Sequence, residues 1–265
     1  MRGKTICIAN QKGGVGKTTT AVNLAASLST LNKKTLLIDI DPQGNATSGL
    51  GIKREEVKEN IYHFLIADLP LQTLVHQTAL PLLEVIPSTL DLIGAEIELV
   101  SIPSREYRLQ EGLKKIEEGY DYIIIDCPPS LGLLTINSLT AADTVLIPIQ
   151  CEYYALEGLS QLLATIKLVK RNLNPELRIE GILLTMFDRR NNLSHQVAED
   201  IKQNLASKVN VYGVIIPRSV RLAECPSFGK PILLYDQSSP GAKCYLELAQ
   251  IVNRGDGFNE KDGIR

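Results

Sequence analysis

The sequence predicts a single α/β domain built on a mostly parallel, twisted sheet with helices on both faces. Three observations support this fold class. The chain has 265 residues, of which 44% are hydrophobic, enough for one substantial core. Apolar runs of strand length alternate with helical patterns, as in repeated βαβ units. Two of these runs are apolar without alternation, which is typical of central strands buried on both faces.

The predicted strands lie at residues 5–10, 35–39, 82–86, 122–126, 144–149 and 179–185, with a seventh at 211–216. The uninterrupted runs are LLIDID at 36–41 and YIIIDC at 122–127. In parallel sheets of this kind, ligands bind beyond the carboxyl ends of the strands. Asp41 and Asp126 both fall at such ends, which marks that edge of the sheet as the candidate site.

The domain is predicted to cover residues 1–252, and residues 253–265 are expected to form a mobile tail. The tail is polar and contains glycine, with almost no apolar content. It has no apolar helix face, so we do not expect it to bind a membrane. No apolar run reaches the length of about 18 residues that spans a bilayer, and the chain enters its first strand directly, so a cytoplasmic protein is expected.

A glycine-rich loop joins the first predicted strand to the first predicted helix. It reads QKGGVGKT at residues 11–18. Glycines there allow backbone N–H groups to turn inward, and the start of the helix adds donors and a positive dipole end. Lys17 would reach the β- and γ-phosphates of a nucleotide and Thr18 would bind Mg²⁺. The expected nucleotide contacts are Gly13, Gly14, Val15, Gly16, Lys17, Thr18 and Thr19, which makes the fold a P-loop NTPase.

This loop departs from the usual G-x-x-x-x-G-K-[ST] pattern at its start. Gln11 stands where the first glycine should be, and Lys12 adds a lysine that phosphate binding within one subunit does not require. The residues alone leave Lys12 open between a solvated loop lysine and a functional one.

KGGVGKT resembles the deviant Walker A loop of the ParA/MinD superfamily of ATPases. Residues 35–45 (TLLIDIDPQGN) resemble the family's second strand and switch I, and residues 122–130 (YIIIDCPPS) resemble its Walker B strand and switch II. Residues 150–162 and 217–231 are similar to blocks of the ParA/Soj chromosome-partitioning branch. The resemblance implies an ATP-bound sandwich dimer in which Lys12 reaches the partner subunit's nucleotide.

The acidic residues at the strand ends are candidates for metal binding and catalysis. Asp126 ends a buried apolar run, where a carboxylate is costly unless a cation or hydrogen-bond donor meets it. Spacing alone does not separate Asp39 from Asp41. By resemblance, Asp41 positions the attacking water and Asp39 supports the Mg²⁺ shell. The predicted catalytic residues are therefore Asp41, Lys12 and Lys17, and the predicted metal ligands are Thr18, Asp39 and Asp126.

Residues for the adenine base are suggested by the resemblance alone. They are Met186, Pro217 and Arg218, which follow the ends of late predicted strands. Core or turn roles for these three remain open.

The charge distribution allows a face for an anionic partner despite a net charge of −2. Residues 167–230 carry 11 Lys and Arg against 6 Asp and Glu, whereas residues 61–166 carry 4 against 14. Guanidinium groups bind phosphates bidentately without reading sequence. With the resemblance, the expected contacts to DNA are Arg189, Arg190, Arg218 and Arg221; without it, solvated loop arginines would be favoured.

The resemblance implies a switch in DNA segregation that uses ATP and Mg²⁺. The ATP-bound homodimer would bind double-stranded DNA without sequence preference, and a ParB-like centromere-binding protein would stimulate hydrolysis. Such a protein is cytoplasmic and associates with the nucleoid when ATP is bound. The alternatives are a MinD-like positioning ATPase acting on other cargo and a metabolic ATPase on the same fold.

Overall fold

The computed structural model describes residues 2–152, 155–205 and 209–255. Its strands are β1 (Lys4–Ile8), β2 (Thr35–Asp39), β3 (His76–Gln77), β4 (Leu83–Ile86), β5 (Tyr122–Asp126), β6 (Thr144–Gln150) and β7 (Arg178–Thr185). Its helices are α1 (Lys17–Thr30), α2 (Asn45–Gly49), α3 (Ile61–Ala67), α4 (Leu92–Glu98), α5 (Arg108–Leu113), α6 (Leu133–Ala141), α7 (Ala155–Asn172), α8 (Asn192–Leu205), α9 (Val220–Glu224), α10 (Ile232–Tyr235) and α11 (Pro240–Arg254).

The strands form one seven-stranded sheet in the order β3-β4-β2-β5-β1-β6-β7. All neighbours are parallel except β3, which pairs antiparallel with β4 at the edge. The predicted mostly parallel sheet is confirmed. The two-residue strand β3 was not predicted, because a strand that short has no detectable alternation.

The central strands are buried on both faces, which is why their sequences are apolar without alternation. Every residue of β2 and β5 is buried. One apolar cluster fills each side of the sheet. On one side, α1 packs beside α11, and the Thr20 and Tyr245 hydroxyls lie 3.2 Å apart in the buried contact. The layers hold β1, β2 and β5 rigid, so their carboxyl ends meet in fixed geometry.

The predicted strand at 211–216 is wrong as a regular element. The segment runs along β7 but pairs with it only at intervals. Val211 forms an isolated parallel bridge with Ile182, and Ile216 N–H donates to the Leu184 carbonyl at 2.9 Å. Between these points the chain bends at Gly213. The bend interrupts the ladder, while the apolar residues on either side still pack inward.

The last helix, α11, runs to Arg254, two residues beyond the predicted domain boundary at 252. It ends at Gly255, whose φ of 75° closes the helix in the left-handed region. The rest of the predicted mobile tail, residues 256–265, lies outside the described residues. None of the described helices combines the length and the apolarity needed to cross a bilayer.

Candidate functional site

The glycine-rich loop connects β1 to α1 at the carboxyl edge of the sheet. Gly14 and Gly16 have φ angles of 73° and 89°, a region that favours glycine. Gly16 is also the residue that caps α1, and no side chain caps that end. The backbone N–H groups at the start of α1 are therefore left for a ligand. Gly13 and Gly14 are exposed, and no atom lies within 4 Å of the position that a Cβ on Gly14 would take.

Two side chains that the sequence did not single out hold this loop in place. Asn10 is buried; its amide donates to the Pro148 carbonyl at 2.8 Å and its oxygen accepts from Lys12 N–H at 3.0 Å. Thr185, at the end of β7, donates its hydroxyl to the Val15 carbonyl at 2.8 Å. The loop is thus fixed to the ends of β6 and β7 before any ligand arrives.

Lys17 is 6% exposed and lies under the loop. Its Nζ donates to the Lys12 carbonyl at 3.2 Å. Burial lowers the pKa of Lys17, and the carboxylates of Asp126 and Asp41 oppose that shift. The cation therefore lies between the loop that would hold phosphates and the acidic strand ends. Thr18 and Thr19 follow it in the first turn of α1, both half-buried.

Asp39 and Asp126 end two neighbouring parallel strands and face each other in register. Asp126 is fully buried, and neither of its carboxylate oxygens has a hydrogen-bond partner among the described residues. Burial raises the pKa of Asp126, and the neighbouring Asp39 raises it further. The Thr18 hydroxyl lies close enough to lower this pKa but outside hydrogen-bond geometry. A buried carboxylate without a partner is costly, and a divalent cation would remove the cost.

Asp39, by contrast, is well supplied with donors. Its Oδ2 accepts from the backbone N–H and the hydroxyl of Thr47 at 2.8 and 2.7 Å, and its Oδ1 accepts from Asp41 N–H at 3.2 Å. Burial raises the pKa of Asp39 to about 6, against the lowering effect of these bonds. Asp39 therefore anchors α2, a role that the sequence did not reveal. Its predicted place in the Mg²⁺ shell stays a prediction.

Asp41 lies just beyond the same strand and is 6% exposed. Its Oδ1 accepts from Gln43 N–H at 2.9 Å, which fixes the carboxylate beside the turn into α2. The structure thus brings Asp41, Asp126, Lys17 and Thr18 to one edge of the sheet. The described residues contain no group of three carboxylate, thiol or imidazole side chains arranged around a metal. Mg²⁺ needs no such cage, because it keeps several waters and binds substrate phosphates alongside one or two carboxylates.

The three residues suggested for adenine lie together at the end of β7. Phe187 forms a parallel bridge with Pro217 and accepts a hydrogen bond from Arg218 N–H at 3.0 Å. Met186 has a φ of 50°, and its Cε lies 3.7 Å from the position of a Cβ on Gly16. Met186 therefore lies beside the phosphate loop, and Pro217 and Arg218 lie beside the residue that follows it. Their role in binding adenine stays a prediction.

The Lys12 side chain pairs with a residue outside its own loop. Its Nζ lies 2.9 Å from Glu152 Oε2, at the end of β6, and both side chains are partly exposed. Beside it, the predicted Gly13 lies close to switch II: a Cβ there would be 3.9 Å from the Cβ of Pro129. Lys12 is thus held at the outer surface of the site by an ion pair that water screens.

The four predicted DNA arginines lie on the two segments that the Phe187–Pro217 bridge joins. Arg189 and Arg190 follow β7, and Arg218 and Arg221 follow Pro217. Arg190 is 90% exposed and pairs with Asp188 at 3.2 Å. Arg221 pairs with Glu224 at 2.8 Å. The sequence did not predict these two ion pairs, which partly neutralise the basic patch.

A backbone contact links the turn after α2 to the turn after α9. Gly51 and Gly229 have φ angles of 85° and 62°, and a Cβ on Gly229 would lie 2.7 Å from Gly51 Cα. Such close approach requires glycine at both positions. The segment that carries Asp41 is therefore packed directly on the segment that follows Arg221.

Known proteins are similar to this chain in sequence and in fold. The family described as "AAA domain" matches residues 3–179. Chromosome partitioning protein ParA of Myxococcus xanthus is 61% identical over 96% of this chain and 89% of its own length. Sporulation initiation inhibitor protein Soj of Bacillus subtilis is 59% identical over 94% of this chain and 98% of its own. The chain belongs to the ParA/Soj family.

A solved structure supports the fold of this family member. Cobyrinic acid a,c-diamide synthase from Mycobacterium smegmatis, with bound ADP and magnesium, aligns with a TM-score of 0.83 and 35% identity. The alignment covers 95% of this chain and 94% of the synthase. The expectation of a P-loop ATPase fold of the ParA/MinD type is confirmed.

Replacing Lys17 with alanine should remove ATP binding from this family member. The buried cation would otherwise meet the phosphates within the loop, so we expect an affinity loss of at least about 30-fold, equivalent to roughly 2 kcal/mol. Titration calorimetry with ATP and Mg²⁺ measures it. Lys58→Ala, at an exposed lysine, is the control; near-normal affinity of Lys17→Ala would contradict the site.

Replacing Asp126 with asparagine should stabilise the metal-free protein at neutral pH. Because the pKa of Asp126 is raised in the fold, the wild type loses stability as pH rises above the ordinary value of about 4. Urea unfolding in EDTA should show equal stability of the two proteins near pH 4 and a greater free energy of unfolding for the variant at pH 7.

With ATP and Mg²⁺ present, the wild type should be more stable than Asp126→Asn, because ligand binding stabilises only the wild type. An Asp126→Asn variant that is less stable than wild type in EDTA at pH 7 would show that Asp126 is satisfied without a metal.

Proposed function

We propose that this chain is an ATP-dependent switch in DNA segregation. ATP binding closes a homodimer, the dimer binds double-stranded DNA without sequence preference, and hydrolysis stimulated by a partner releases it. The observation that carries this proposal is the placement of the two loop lysines. Lys17 is buried under the phosphate loop, whereas Lys12 lies at its outer surface, paired with the partly exposed Glu152.

Within one subunit, each residue at the sheet edge has a distinct task. The loop N–H groups and Lys17 bind the phosphates of ATP. Thr18 and Asp126, with support from Asp39, would hold Mg²⁺, which would neutralise phosphate charge when bound. Asp41 orients the attacking water and takes its proton. Met186, Pro217 and Arg218 hold the base.

The second subunit completes the site. Gly13 and Gly14 are exposed beside Lys12, so a second copy can approach the loop without displacing side chains. An ammonium group that arrives from the partner subunit would stabilise charge on the transferring phosphoryl group. Because that cation arrives only on dimerisation, hydrolysis depends on dimer formation, and this links ATP turnover to assembly.

DNA binding is assigned to the arginine patch at Arg189, Arg190, Arg218 and Arg221. Two contacts support this assignment. The Phe187–Pro217 bridge joins the two segments that carry the patch, and the Gly51–Gly229 contact packs the segment after switch I on the segment after Arg221. Guanidinium contacts to phosphates give affinity without sequence preference. The protein would therefore be cytoplasmic, and bound to the nucleoid in its ATP state.

Release requires a second protein, which we propose is a ParB-like centromere-binding protein. The support is the sequence identity of 61% with a chromosome partitioning protein ParA and of 59% with a Soj protein. The same relatives favour a partitioning role over a metabolic one, since the aligned synthase is only 35% identical.

Replacing Asp41 with alanine tests the switch. The variant should bind ATP and remain as a dimer on plain duplex DNA, with hydrolysis reduced at least about tenfold because no carboxylate orients the water. Phosphate release and a DNA pull-down with and without ATP measure both effects. Asp200→Ala, at an exposed aspartate of α8, is the control. Unchanged turnover would remove Asp41 from the mechanism.

Replacing Arg190 with glutamate tests the DNA patch. ATP-dependent dimerisation should persist, while affinity for duplex DNA falls about tenfold and the salt dependence becomes shallower by about one ion. Fluorescence anisotropy over a salt series measures this. Lys58→Glu, which makes the same change of charge at an exposed lysine outside the patch, is the control.

Asp188→Asn should change DNA affinity in the opposite direction, because it removes the carboxylate that pairs with Arg190. Its DNA affinity should equal or exceed that of the wild type. If Arg190→Glu leaves both affinity and salt dependence unchanged, the DNA face lies elsewhere.

A further inference from the structure

Helix α4 and the turns before and after it expose a row of large aliphatic side chains. Leu90, Ile93, Ile97 and Val100 are 59, 54, 75 and 58% exposed. Their spacing of three and four residues places them along one side of a helix. We call these four residues the α4 ridge.

The opposite side of α4 packs against the hydrophobic core. Leu92, Ala95 and Leu99 are completely buried there. A surface helix normally has one apolar stripe toward the core and a polar face outside, whereas a helix that is apolar all round is a buried one. The ridge is therefore as apolar as a helix face that is covered by another surface. An exposed apolar patch of this kind marks an interaction site.

The charges around the ridge indicate what covers it. Residues 61–104 contain five Asp and Glu and no Lys or Arg. Arg105 donates to the Val100 carbonyl at the end of the ridge, and its charge is paired with Glu106. Asp91 and Glu98 lie on α4 or at its start, both exposed, and Tyr62 donates its hydroxyl to Glu98 at 3.1 Å. Such a surface repels DNA and anionic lipid, and it also repels the same ridge of a second copy. It attracts a protein segment with aliphatic side chains flanked by lysine or arginine.

The ridge is connected to the nucleotide site through Glu96, on the inner part of the same helix. Glu96 accepts hydrogen bonds from the backbone N–H groups of Leu133 and Leu134, at 3.0 and 3.5 Å. These are the first residues of α6, whose capping residue, Gly132, has no side chain. Asp126 lies seven positions before α6 begins, so movement of α4 reaches the segment after Asp126 directly.

We propose that the α4 ridge is the docking surface for a basic, aliphatic segment of the partner protein that stimulates hydrolysis. The inference rests on the proposed function, because it assigns a place and a chemistry to the partner contact. Docking covers the ridge, neutralises Asp91 and Glu98, and acts on switch II through the Glu96 bonds to α6.

The test is Ile97→Lys, which places a cation at the most exposed point of the ridge. The probe is a purified ParB-type centromere-binding protein, the partner class of the proposed function. Its binding to the ATP-bound protein and its stimulation of phosphate release should both fall at least about tenfold. Basal hydrolysis, ATP-dependent dimerisation and DNA binding should stay as in the wild type. Leu168→Lys, at a leucine of α7 that is also 59% exposed, is the matched control and should behave as wild type.

Asp91→Lys tests the charge component separately. It should weaken partner binding more at low salt than at high salt, because exposed charges are screened by salt.

The outcomes separate this inference from the proposed function. If the wild type is stimulated and Ile97→Lys is stimulated equally, the ridge assignment is overturned while the switch stands. If Ile97→Lys no longer dimerises with ATP in light scattering, the ridge belongs to the subunit interface, which also overturns the assignment. If the wild type neither binds the ParB-type protein nor responds to it, the partner in the proposed function is wrong, and this inference fails with it.

Discussion

Two carboxylates buried side by side at the end of the central strands constrain everything else at this site. The register of β2 with β5 places Asp39 opposite Asp126, and the sheet layers keep water from both. Asp39 is compensated by Thr47 and the backbone, whereas Asp126 has no hydrogen-bond partner among the described residues. Stability alone would not retain such a group. A site built this way favours a divalent cation at Asp126, with Lys17 left to meet anionic phosphates, which fits a metal–nucleotide complex.

The same strand ends connect to two outer surfaces, the arginine patch and the α4 ridge. Thr47 bonds Asp39 and also accepts from Ser88 N–H at 3.0 Å, so α2 is tied to the strand end after β4. From α2 the Gly51–Gly229 contact leads toward the arginine patch, and from Asp126 switch II leads to Glu96 and the α4 ridge. A change in what the carboxylates bind can therefore alter both surfaces through packed, short-range contacts. Such contacts are the physical requirement for a nucleotide switch.

Much of this arrangement could be predicted from sequence because it depends on local pattern. The apolar runs gave β2 and β5 with their bounds, and the glycines gave the phosphate loop. Two of the missed features depend on neighbours distant in the chain. Asn10 and Thr185 hold the loop through contacts that span 138 and 170 residues, and no local pattern encodes those distances. The other two are local. The segment at 211–216 is apolar like a strand but bends at Gly213, and the ion pair of Arg221 with Glu224 depends on α9 forming at those residues.

Lys12 of the other subunit is proposed to complete each site. Phosphate release by a mixture of Lys12→Ala and Asp41→Ala tests this proposal, because each variant alone turns over slowly; the two are combined before ATP, Mg²⁺ and DNA are added, so that mixed dimers can form. In a mixed dimer, the Lys12→Ala subunit keeps its own Asp41 and receives Lys12 from the Asp41→Ala subunit. Random pairing then restores about a quarter of wild-type turnover, since half of the dimers are mixed and each has one intact site. No recovery, with mixed dimers verified by differential tagging, would show that Lys12 acts within its own subunit and would contradict the account.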